Sequence, residues 1–256
     1  MALLHGKVAT VSGSTRGIGK AIARRLLEEG ATVYITGRDG ARLGEACGEF
    51  RGDFGDRARA FQGDLSGTGV IAGLLGKILE EEPRLDVVVA NIGSGRSKPG
   101  WDVDEALWRE AFEINLFPAV NLVREAVRVM APRGGGSIVL VSSIAGRERI
   151  EAPAPYAAAK AALQMFMKYT SAQVAPLGIR VNAISPGNVF FPGGTWDRKM
   201  KEDSADVTRY LKEVVPMQRF ASPAEIAELV AFLASERAGF ITGADVVIDG
   251  GQTRGA

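Results

Sequence analysis

KVATVSGSTRGIG, residues 7–19, joins a short apolar run to a glycine-rich turn, and the helical pattern KAIARRLLEE of residues 20–29 follows at once. Gly13, Gly17 and Gly19 have the spacing G-x3-G-x-G, which differs from the G-x-G-x-x-G turn of other dinucleotide-binding proteins. Glycines permit a tight turn here and let an anion approach the backbone N–H groups at the positive end of the helix. The stretch predicts a β–α unit that binds a dinucleotide, against the alternative of a glycine-rich turn without a ligand.

The same alternation of short apolar runs and helical patterns continues to the end of the chain. Runs such as VVVA and SIVLV are apolar on both faces, which is typical of a parallel sheet covered by helices. We predict an α/β fold, a Rossmann-type doubly wound parallel sheet of about seven strands with helices on both faces, formed as a single domain by residues 1–256. The predicted strands span residues 7–11, 32–36, 58–62, 85–90, 137–142, 179–184 and 245–248. The predicted helices span residues 20–29, 41–51, 70–81, 104–130, 156–174 and 223–234.

Two segments of the chain depart from this regular pattern. We predict a bend at Pro118 within the helix of residues 104–130, because proline cannot donate the hydrogen bond of a helix interior. Residues 188–215 are polar, aromatic and interrupted by glycine and proline. We predict that they form a loop insertion that covers a substrate.

Composition excludes several classes of protein. The net charge is +1, so no overall field attracts nucleic acid or an anionic membrane. Cys47 is the only cysteine and His5 the only histidine, which disfavours a disulfide within the chain, a metal site and Ser-His-Asp hydrolysis. The N-terminus has no signal-peptide pattern, and we expect a cytoplasmic protein.

The residue that follows the second predicted strand indicates which nicotinamide cofactor binds. NAD-dependent enzymes usually carry Asp or Glu there, whereas this chain has Arg38. A carboxylate would repel a 2′-phosphate, and a guanidinium can bind it through two hydrogen bonds. Arg16, in the glycine turn, is a candidate for a second cation. We predict NADP(H), with NAD(H) as the alternative because Asp39 follows directly.

Tyr156 and Lys160 are four residues apart in a predicted helix and therefore project from the same face. A cation about 4 Å from a phenol, at an effective dielectric constant of about 20, would lower its pKa by roughly 3 units. Ser143 ends an apolar strand upstream of the tyrosine, at the edge of the sheet where ligands bind in such folds. The pattern predicts a tyrosine that transfers protons near neutral pH, against the alternative of an ordinary amphipathic helix.

In their order and spacing, these motifs resemble the short-chain dehydrogenase/reductase family over essentially the whole chain, in particular members that are similar to 3-oxoacyl-(acyl carrier protein) reductase. The resemblance rests on SGSTRGIG, Asp64-Leu65, Ala90-Asn91-Ile92-Gly93, Asn115, Ser143, Tyr156 with Lys160, Ser185-Pro186-Gly187 and the C-terminal ITGADVVIDGG. It implies an oxidoreductase that transfers a hydride between NADP(H) and a ketone or secondary alcohol.

The resemblance also implies a role for each matching residue. Tyr156 is the general acid or base, Ser143 binds the substrate oxygen, Lys160 holds the nicotinamide ribose and lowers the pKa of the tyrosine, and Asn115 supports a water-linked proton relay. The residues implied in cofactor binding are Gly13, Ser14, Arg16, Gly17, Ile18, Gly19, Arg38, Asp64, Leu65, Asn91, Gly93, Tyr156, Lys160, Pro186, Gly187 and Val189.

Three positions depart from the family pattern. Ser12 replaces a threonine and keeps its hydroxyl, whereas Ala90 and Ile92 replace Asn and Ala, which removes an amide that would brace that turn. Phe191 stands where the family commonly has a threonine whose hydroxyl meets the nicotinamide carboxamide. We therefore expect the loop after Gly187 to run differently.

The substrate stays open between two classes. Aromatic residues near the site favour an apolar or ring-bearing ketone, and an arginine cluster favours an anionic group such as the phosphate of an acyl carrier. The residues expected near the substrate are Ser94, Gly95, Ile144, Arg147, Phe190, Phe191 and Trp196, and the arginines are Arg96, Arg147 and Arg149.

Assembly and function have alternatives too. The family resemblance implies a homotetramer or homodimer built on residues 223–234 and 245–248, although ordinary core packing would give the same pattern. The competing functions are a non-catalytic dinucleotide-binding sensor or scaffold, an NAD-dependent alcohol dehydrogenase of the same family, and a nucleotide-sugar epimerase or dehydratase. The last is disfavoured because only a short segment follows Gly187.

Overall fold

The computed structural model describes residues 2–95, 98 and 100–255. The strands are β1 (Val8–Val11), β2 (Thr32–Gly37), β3 (Ala58–Gln62), β4 (Val87–Ala90), β5 (Gly136–Val141), β6 (Ile179–Pro186) and β7 (Asp245–Ile248). The α-helices are α1 (Gly17–Glu28), α2 (Gly40–Phe54), α3 (Thr68–Glu81), α4 (Glu105–Asn115), α5 (Phe117–Met130), α6 (Ala154–Val174), α7 (Thr195–Glu202), α8 (Ser204–Val214) and α9 (Pro223–Ala234).

The described strands form one parallel sheet with the order β3-β2-β1-β4-β5-β6-β7. The chain builds the sheet outwards from β1 to β3, returns to the centre at β4, and then extends to the other edge. The direction of winding therefore reverses between β1 and β4, where ligands bind in doubly wound folds. The predicted fold class is confirmed.

The core lies on both faces of this sheet. Val87 and Val89 of β4 pack into the hydrophobic cluster that includes residues of α1, α2 and α9. Val88 and Ala90 point to the opposite face, into the cluster that includes residues of α3, α5 and α6. Side chains alternate between faces along a strand, so a central strand must be apolar at every position.

Two predicted elements differ from the structure. The helix predicted over residues 104–130 is two helices, α4 and α5, with Leu116 between them. Pro118 lies in the first turn of α5, where its missing N–H costs no helical hydrogen bond, so the proline begins a helix instead of bending one.

The segment predicted as a loop insertion, residues 188–215, contains the helices α7 and α8. Helix α8 begins at a strong capping residue, because the Asp203 side chain accepts a hydrogen bond from the backbone N–H of Asp206. Among the described residues, no helix is both long and apolar enough to cross a membrane.

Candidate active site

A cavity of about 1690 Å³ opens at the carboxyl ends of the central strands. It extends from the glycine turn after β1 to the first turns of α6 and to α7. Most of the predicted cofactor and catalytic residues meet in its wall: Gly13, Arg16, Ile18, Gly19, Asn91, Gly93, Ser143, Tyr156, Lys160, Pro186, Gly187 and Val189.

The glycine turn is built by close backbone packing. A Cβ atom on Gly19 would lie 2.3 Å from the carbonyl oxygen of Gly13 and 2.5 Å from the amide nitrogen of Asn91. Gly13 and Gly17 have φ angles of +63° and +55°, in the left-handed region that favours glycine. The spacing of the glycines therefore reflects both conformation and the space available to the backbone.

Hydrogen bonds to the glycine turn hold the turn after β4 in place. The Ser12 hydroxyl accepts hydrogen bonds from the backbone N–H groups of Asn91 (2.8 Å) and Ile92 (3.2 Å). The Asn91 side-chain amide donates to the carbonyl oxygens of Ser12 (3.0 Å) and Gly13 (3.2 Å). Ser12 and Asn91 thus hold this turn although Ala90 carries no amide.

The N-terminus of α1 fits a dinucleotide diphosphate. The residue before the helix, Arg16, makes no side-chain hydrogen bond to the first turn, and that turn contains no acidic residue. Its backbone N–H groups and partial positive charge are therefore available to an anion. Gly13 and Gly19 add no side chain of their own to this approach.

Arg38 and Asp64 lie at the ends of β2 and β3, away from the cavity wall. The two side chains form a loose ion pair at 3.9 Å and are largely exposed. Leu65 and Ser14 are buried, and the Ser14 hydroxyl accepts a hydrogen bond from the backbone N–H of Thr36. Ser14 and Leu65 therefore have structural roles in the present arrangement.

Ser143 is held in a defined orientation. It precedes a single 3₁₀ turn, Ile144–Gly146, and its hydroxyl oxygen accepts a hydrogen bond from the backbone N–H of Ala145 at 3.2 Å. Its side chain also forms a hydrogen bond with Tyr156, which acts to lower the pKa of the phenol. The serine and the tyrosine are thus neighbours, as the sequence predicts.

The acid–base properties of Tyr156 differ from the expectation. Burial raises the pKa of Tyr156, and this effect exceeds the opposing one of the Ser143 hydrogen bond. Burial also lowers the pKa of Lys160 to about 8. The Lys160 ammonium lies 5.9 Å from the centre of the Tyr156 ring and donates to the carbonyl oxygen of Val141 at 2.9 Å. The expected lowering of the Tyr156 pKa is therefore wrong for this arrangement.

Asn115 and Gly93 lie directly beside Lys160. A Cβ atom on Gly93 would lie 2.9 Å from the Asn115 side-chain oxygen and 3.0 Å from the Lys160 nitrogen. The same Asn115 oxygen accepts a hydrogen bond from the backbone N–H of Ser94 at 2.7 Å. Asn115 is buried at the end of α4, so the break before α5 places it against the lysine.

The far end of the cavity has an aromatic wall. Trp196 lines the cavity and stacks on Tyr210 of α8, with ring centres 5.1 Å apart, and it also packs against Phe220 at 5.2 Å. Phe190, which we expected near the substrate, is not among the residues that line the cavity and packs against Phe220, with ring centres 5.6 Å apart. Phe191 lies over the glycine turn, where its ring would be 2.7 Å from a Cβ atom on Gly17.

The arginines predicted near the substrate have different surroundings. Arg147 lines the cavity and is paired with Asp245 at 3.2 Å, Arg149 also lines the cavity, and Arg96 lies outside the described residues. Ser94, Gly95 and Ile144 lie in the wall as expected. Sequence analysis missed Trp101, Trp108, Arg198 and Lys199, which also line the cavity, because no motif marks them.

Comparison with known proteins agrees with this arrangement. A family profile described as Enoyl-(Acyl carrier protein) reductase matches residues 13–253. Cis-4-hydroxycyclohexanecarboxylate dehydrogenase of Sinomonas cyclohexanicum is 37% identical, over 96% of this chain and 96% of that protein.

Two solved structures have the same fold. L-sorbose reductase of Gluconobacter frateurii, in complex with NADPH and L-sorbose, gives a TM-score of 0.92 with 32% identity, over 100% of both chains. A 7α-hydroxysteroid dehydrogenase in complex with NADH and 7-oxo glycochenodeoxycholic acid gives 0.89 with 26% identity, over 98% of this chain and 96% of that one.

A doubly wound sheet with a glycine turn and a Ser-Tyr-Lys cluster at its carboxyl edge defines a nicotinamide-dependent type of oxidoreductase. The chain belongs to the short-chain dehydrogenase/reductase family. The family contains enzymes that act on alcohols and ketones, as the two dehydrogenases and the reductase show.

The packing of the glycine turn yields a matched pair of substitutions. Gly19→Ala forces a methyl group against Gly13 and Asn91 and should lower the free energy of unfolding by about 2 kcal/mol. Gly48→Ala, in α2 where nothing lies within 4 Å of the added atom, should raise it by about 0.5–1 kcal/mol. Urea unfolding measures both changes. Equal effects of the two substitutions would contradict the role given to Gly19.

Proposed function

We propose that this chain is an NADP(H)-dependent oxidoreductase that transfers a hydride between the nicotinamide and a ketone or secondary alcohol. The observation that carries the proposal is the meeting of Ser143, Tyr156 and Lys160 in one cavity with the glycine turn at the N-terminus of α1. We further propose that residues 1–256 form one domain for both cofactor binding and catalysis, with residues 188–215 as its substrate segment.

In this proposal, different residues of the chain bind the nicotinamide, the diphosphate and the adenosine parts of the cofactor. NADP(H), when bound, supplies or accepts the hydride. The N-terminus of α1 would hold its diphosphate, and Lys160 its nicotinamide ribose. The backbone of Pro186, Gly187 and Val189 lines the wall beside Tyr156 and would border the nicotinamide ring. The exposed pair of Arg38 and Asp64 would lie at the adenosine end.

Ser143 and Tyr156 carry out the proton chemistry in the proposed mechanism. The Ser143 oxygen accepts the Ala145 N–H, which leaves the hydroxyl proton to stabilise a negative charge that develops on the substrate oxygen. Tyr156 donates its phenolic proton to that oxygen in reduction and takes it back in oxidation. Because burial raises the pKa of Tyr156, the phenol holds its proton at neutral pH, as reduction requires.

Lys160 and Asn115 assist this proton transfer in the proposed mechanism. Lys160 is buried and has a pKa of about 8, so it can both carry a positive charge near neutral pH and exchange a proton. The Asn115 oxygen lies next to it, across the space that Gly93 leaves open. We propose that these two residues return a proton to Tyr156 after each reduction.

We propose a ring-bearing or otherwise apolar ketone or alcohol as the substrate. Trp196, Ile144, Trp101 and Trp108 give the wall around Ser143 an apolar surface, which suits such a substrate. Cis-4-hydroxycyclohexanecarboxylate dehydrogenase, at 37% identity, is named for a ring alcohol. Arg149 and Lys199 lie in the same wall and favour a negatively charged substituent on that ring, in place of the acyl-carrier phosphate considered above.

A non-catalytic sensor or scaffold is the second candidate function. Such a protein would need the glycine turn but not a serine, a tyrosine and a buried lysine at the opposite end of the cavity. Lys160 is buried and has no acidic partner among the described residues, which costs free energy and is expected of a functional group and not of a scaffold. The enzyme is therefore the better supported proposal.

Replacement of Tyr156 by phenylalanine tests the enzyme proposal. Tyr156→Phe removes the proton donor and should lower kcat for ketone reduction about 10²–10⁴-fold, with little change in the Kd for NADPH. NADPH absorbance follows turnover, and fluorescence titration gives the Kd. Tyr169→Phe, at an exposed tyrosine of the same helix, is the matched control.

The same assay tests the substrate class. Cyclic and aromatic ketones should be reduced faster than β-ketoacyl thioesters and sugar-derived ketones. Preference for a thioester would overturn the ring substrate and leave the enzyme proposal intact. Full activity of the Tyr156→Phe variant would contradict the mechanism, and NADPH binding without turnover of any substrate would favour the sensor.

Arg38 gives a separate test of cofactor choice. Arg38→Ala should raise the KM for NADPH about tenfold and leave the KM for NADH nearly unchanged, because only NADPH carries the 2′-phosphate. Arg42→Ala, at an exposed arginine in the first turn of α2, is the matched control. A wild-type preference for NADH would show that NAD(H) is the cofactor.

We also propose that the chain forms a homotetramer. Two separate faces carry exposed apolar side chains, one on α6 with Met165 and Tyr169, the other with Phe232 on α9 and Phe240 shortly after it. Exposed apolar groups of this kind mark interaction surfaces. Sedimentation equilibrium should give four chains for the wild type and two for either Tyr169→Glu or Phe240→Glu. A monomeric wild type would overturn the proposal.

A further inference from the structure

Gln164 lies on α6 one turn after Lys160, and its side-chain amide uses both of its N–H groups. Its nitrogen donates to the backbone carbonyl oxygen of Ser143 at 3.0 Å and to the hydroxyl oxygen of Ser185 at 3.0 Å. A flipped amide would place the Gln164 oxygen against the Ser143 carbonyl oxygen, so the partners fix its orientation. Gln164 therefore connects the backbone of the proposed catalytic serine to β6.

The connection continues from β6 to β7. The Ser185 hydroxyl donates to the Asp245 carboxylate at 2.7 Å, and Ser185 itself is fully buried. The other Asp245 oxygen accepts from Arg147 at 3.2 Å, and the Asp245 backbone carbonyl accepts from the same guanidinium nitrogen at 3.3 Å. The bonds run from Gln164 to Ser185 and from Ser185 to the Asp245 carboxylate, which Arg147 contacts from the other side. The two bonds to the carboxylate are therefore charge-assisted.

These hydrogen bonds hold both ends of the segment from Ser143 to Arg147. Gln164 binds the carbonyl group of Ser143, and Asp245 binds the side chain of Arg147, four residues later. Between them, Gly146 lies flat on α6, where an added Cβ atom would be 2.7 Å from the backbone nitrogen of Ala161 and 2.9 Å from the Gln164 nitrogen. The 3₁₀ turn that orients the Ser143 hydroxyl is thus clamped against the helix that carries Tyr156.

We propose that Gln164 is a positioning residue for Ser143, and that Ser185, Asp245 and Arg147 extend its action to the edge of the sheet. The proposal rests on the proposed function, since it assigns Ser143 to the binding of the substrate oxygen. Gln164 touches neither the phenol of Tyr156 nor the hydroxyl of Ser143. It acts by fixing the carbonyl group of Ser143, while the N–H of Ala145 fixes the hydroxyl oxygen.

Removal of the Gln164 amide should therefore affect catalysis more than substrate binding. Gln164→Met keeps the length of the side chain and loses both donors. We expect kcat to fall about tenfold with KM for the ketone and for NADPH changed less than about twofold, because a displaced Ser143 mainly loses contact with the transition state. The Ser143 hydrogen bond also lowers the pKa of Tyr156, so its loss should move the alkaline limb of the reduction rate to higher pH.

Lys168→Met is the matched control. Lys168 lies one turn further along α6, and its ammonium donates to the backbone carbonyl oxygen of Gly243, just before β7, at 2.8 Å. Its loss removes a bond of the same helix to the same region of the fold but none to Ser143. We expect lower stability and an unchanged kcat and pH profile for Lys168→Met.

A double-mutant cycle separates positioning from general damage. In an S143A background, Gln164→Met should change kcat less than about twofold, because the group that it positions is already absent. A tenfold loss in both backgrounds would show that Gln164 is merely structural, and an unchanged kcat in the wild-type background would also overturn the proposal. Asp245→Asn changes the other end of this series of hydrogen bonds and should also lower kcat. It tests the proposal if Gln164→Met does not fold.

Hydrogen exchange distinguishes a failure of this inference from a failure of the proposed function. The backbone N–H groups of Ala145, Gly146 and Arg147 should exchange faster in Gln164→Met than in Lys168→Met. If no ketone is reduced but these amides lose protection, Gln164 does hold the segment from Ser143 to Arg147, and the enzyme assignment is wrong. If the amides keep their protection in both Gln164→Met and Asp245→Asn, these residues do not hold the turn after Ser143, and the inference is wrong whatever the activity.

Discussion

The arrangement of the site depends on one hydrogen bond, from the buried ammonium group of Lys160 to the carbonyl oxygen of Val141. Burial of an ammonium group without a carboxylate is expensive, and the cost appears as the lowered pKa of Lys160. The bond fixes α6 against the end of β5. The turn after β4 lies close to the same lysine, and only glycine at position 93 leaves room for the lysine and Asn115 together. The sheet, the helix and the turn thus meet at Lys160.

The topology of the sheet explains why so few residues are needed to build this site. Strands β1, β4 and β5 are neighbours, so their carboxyl ends bring the glycine turn, the Asn91 turn and Ser143 to one edge. The winding direction reverses between β1 and β4, which opens the space for a ligand there. Ser12 then bridges the first two of these turns with a single hydroxyl group. The strand order therefore brings the three turns together, and side-chain hydrogen bonds such as those of Ser12 fix their final positions.

The sequence was sufficient to predict the strands, their parallel arrangement and the meeting of the motif residues, because hydrophobic periodicity and glycine spacing are local properties. It was not sufficient for features that depend on tertiary surroundings. The raised pKa of Tyr156 follows from burial, which no i, i+4 spacing can reveal. The helix break at Leu116 was predicted at the wrong residue because proline is tolerated in a first turn. Gln164 carries no motif, and its role becomes visible only when its two partners are seen together.

The segment from Phe190 to Trp196 shows that the two ends of the cavity are not independent. The Phe191 ring lies on Gly17, and the guanidinium of Arg16 donates to the carbonyl oxygen of Gly193 at 3.4 Å. A few residues later, Trp196 forms the aromatic wall at the opposite end. Any shift of this segment that admits a different substrate must also move the ring that covers the glycine turn. If the proposed function holds, selection of substrate and access to the diphosphate site are coupled through one short stretch of chain, and the phenyl ring at position 191 makes that coupling steric.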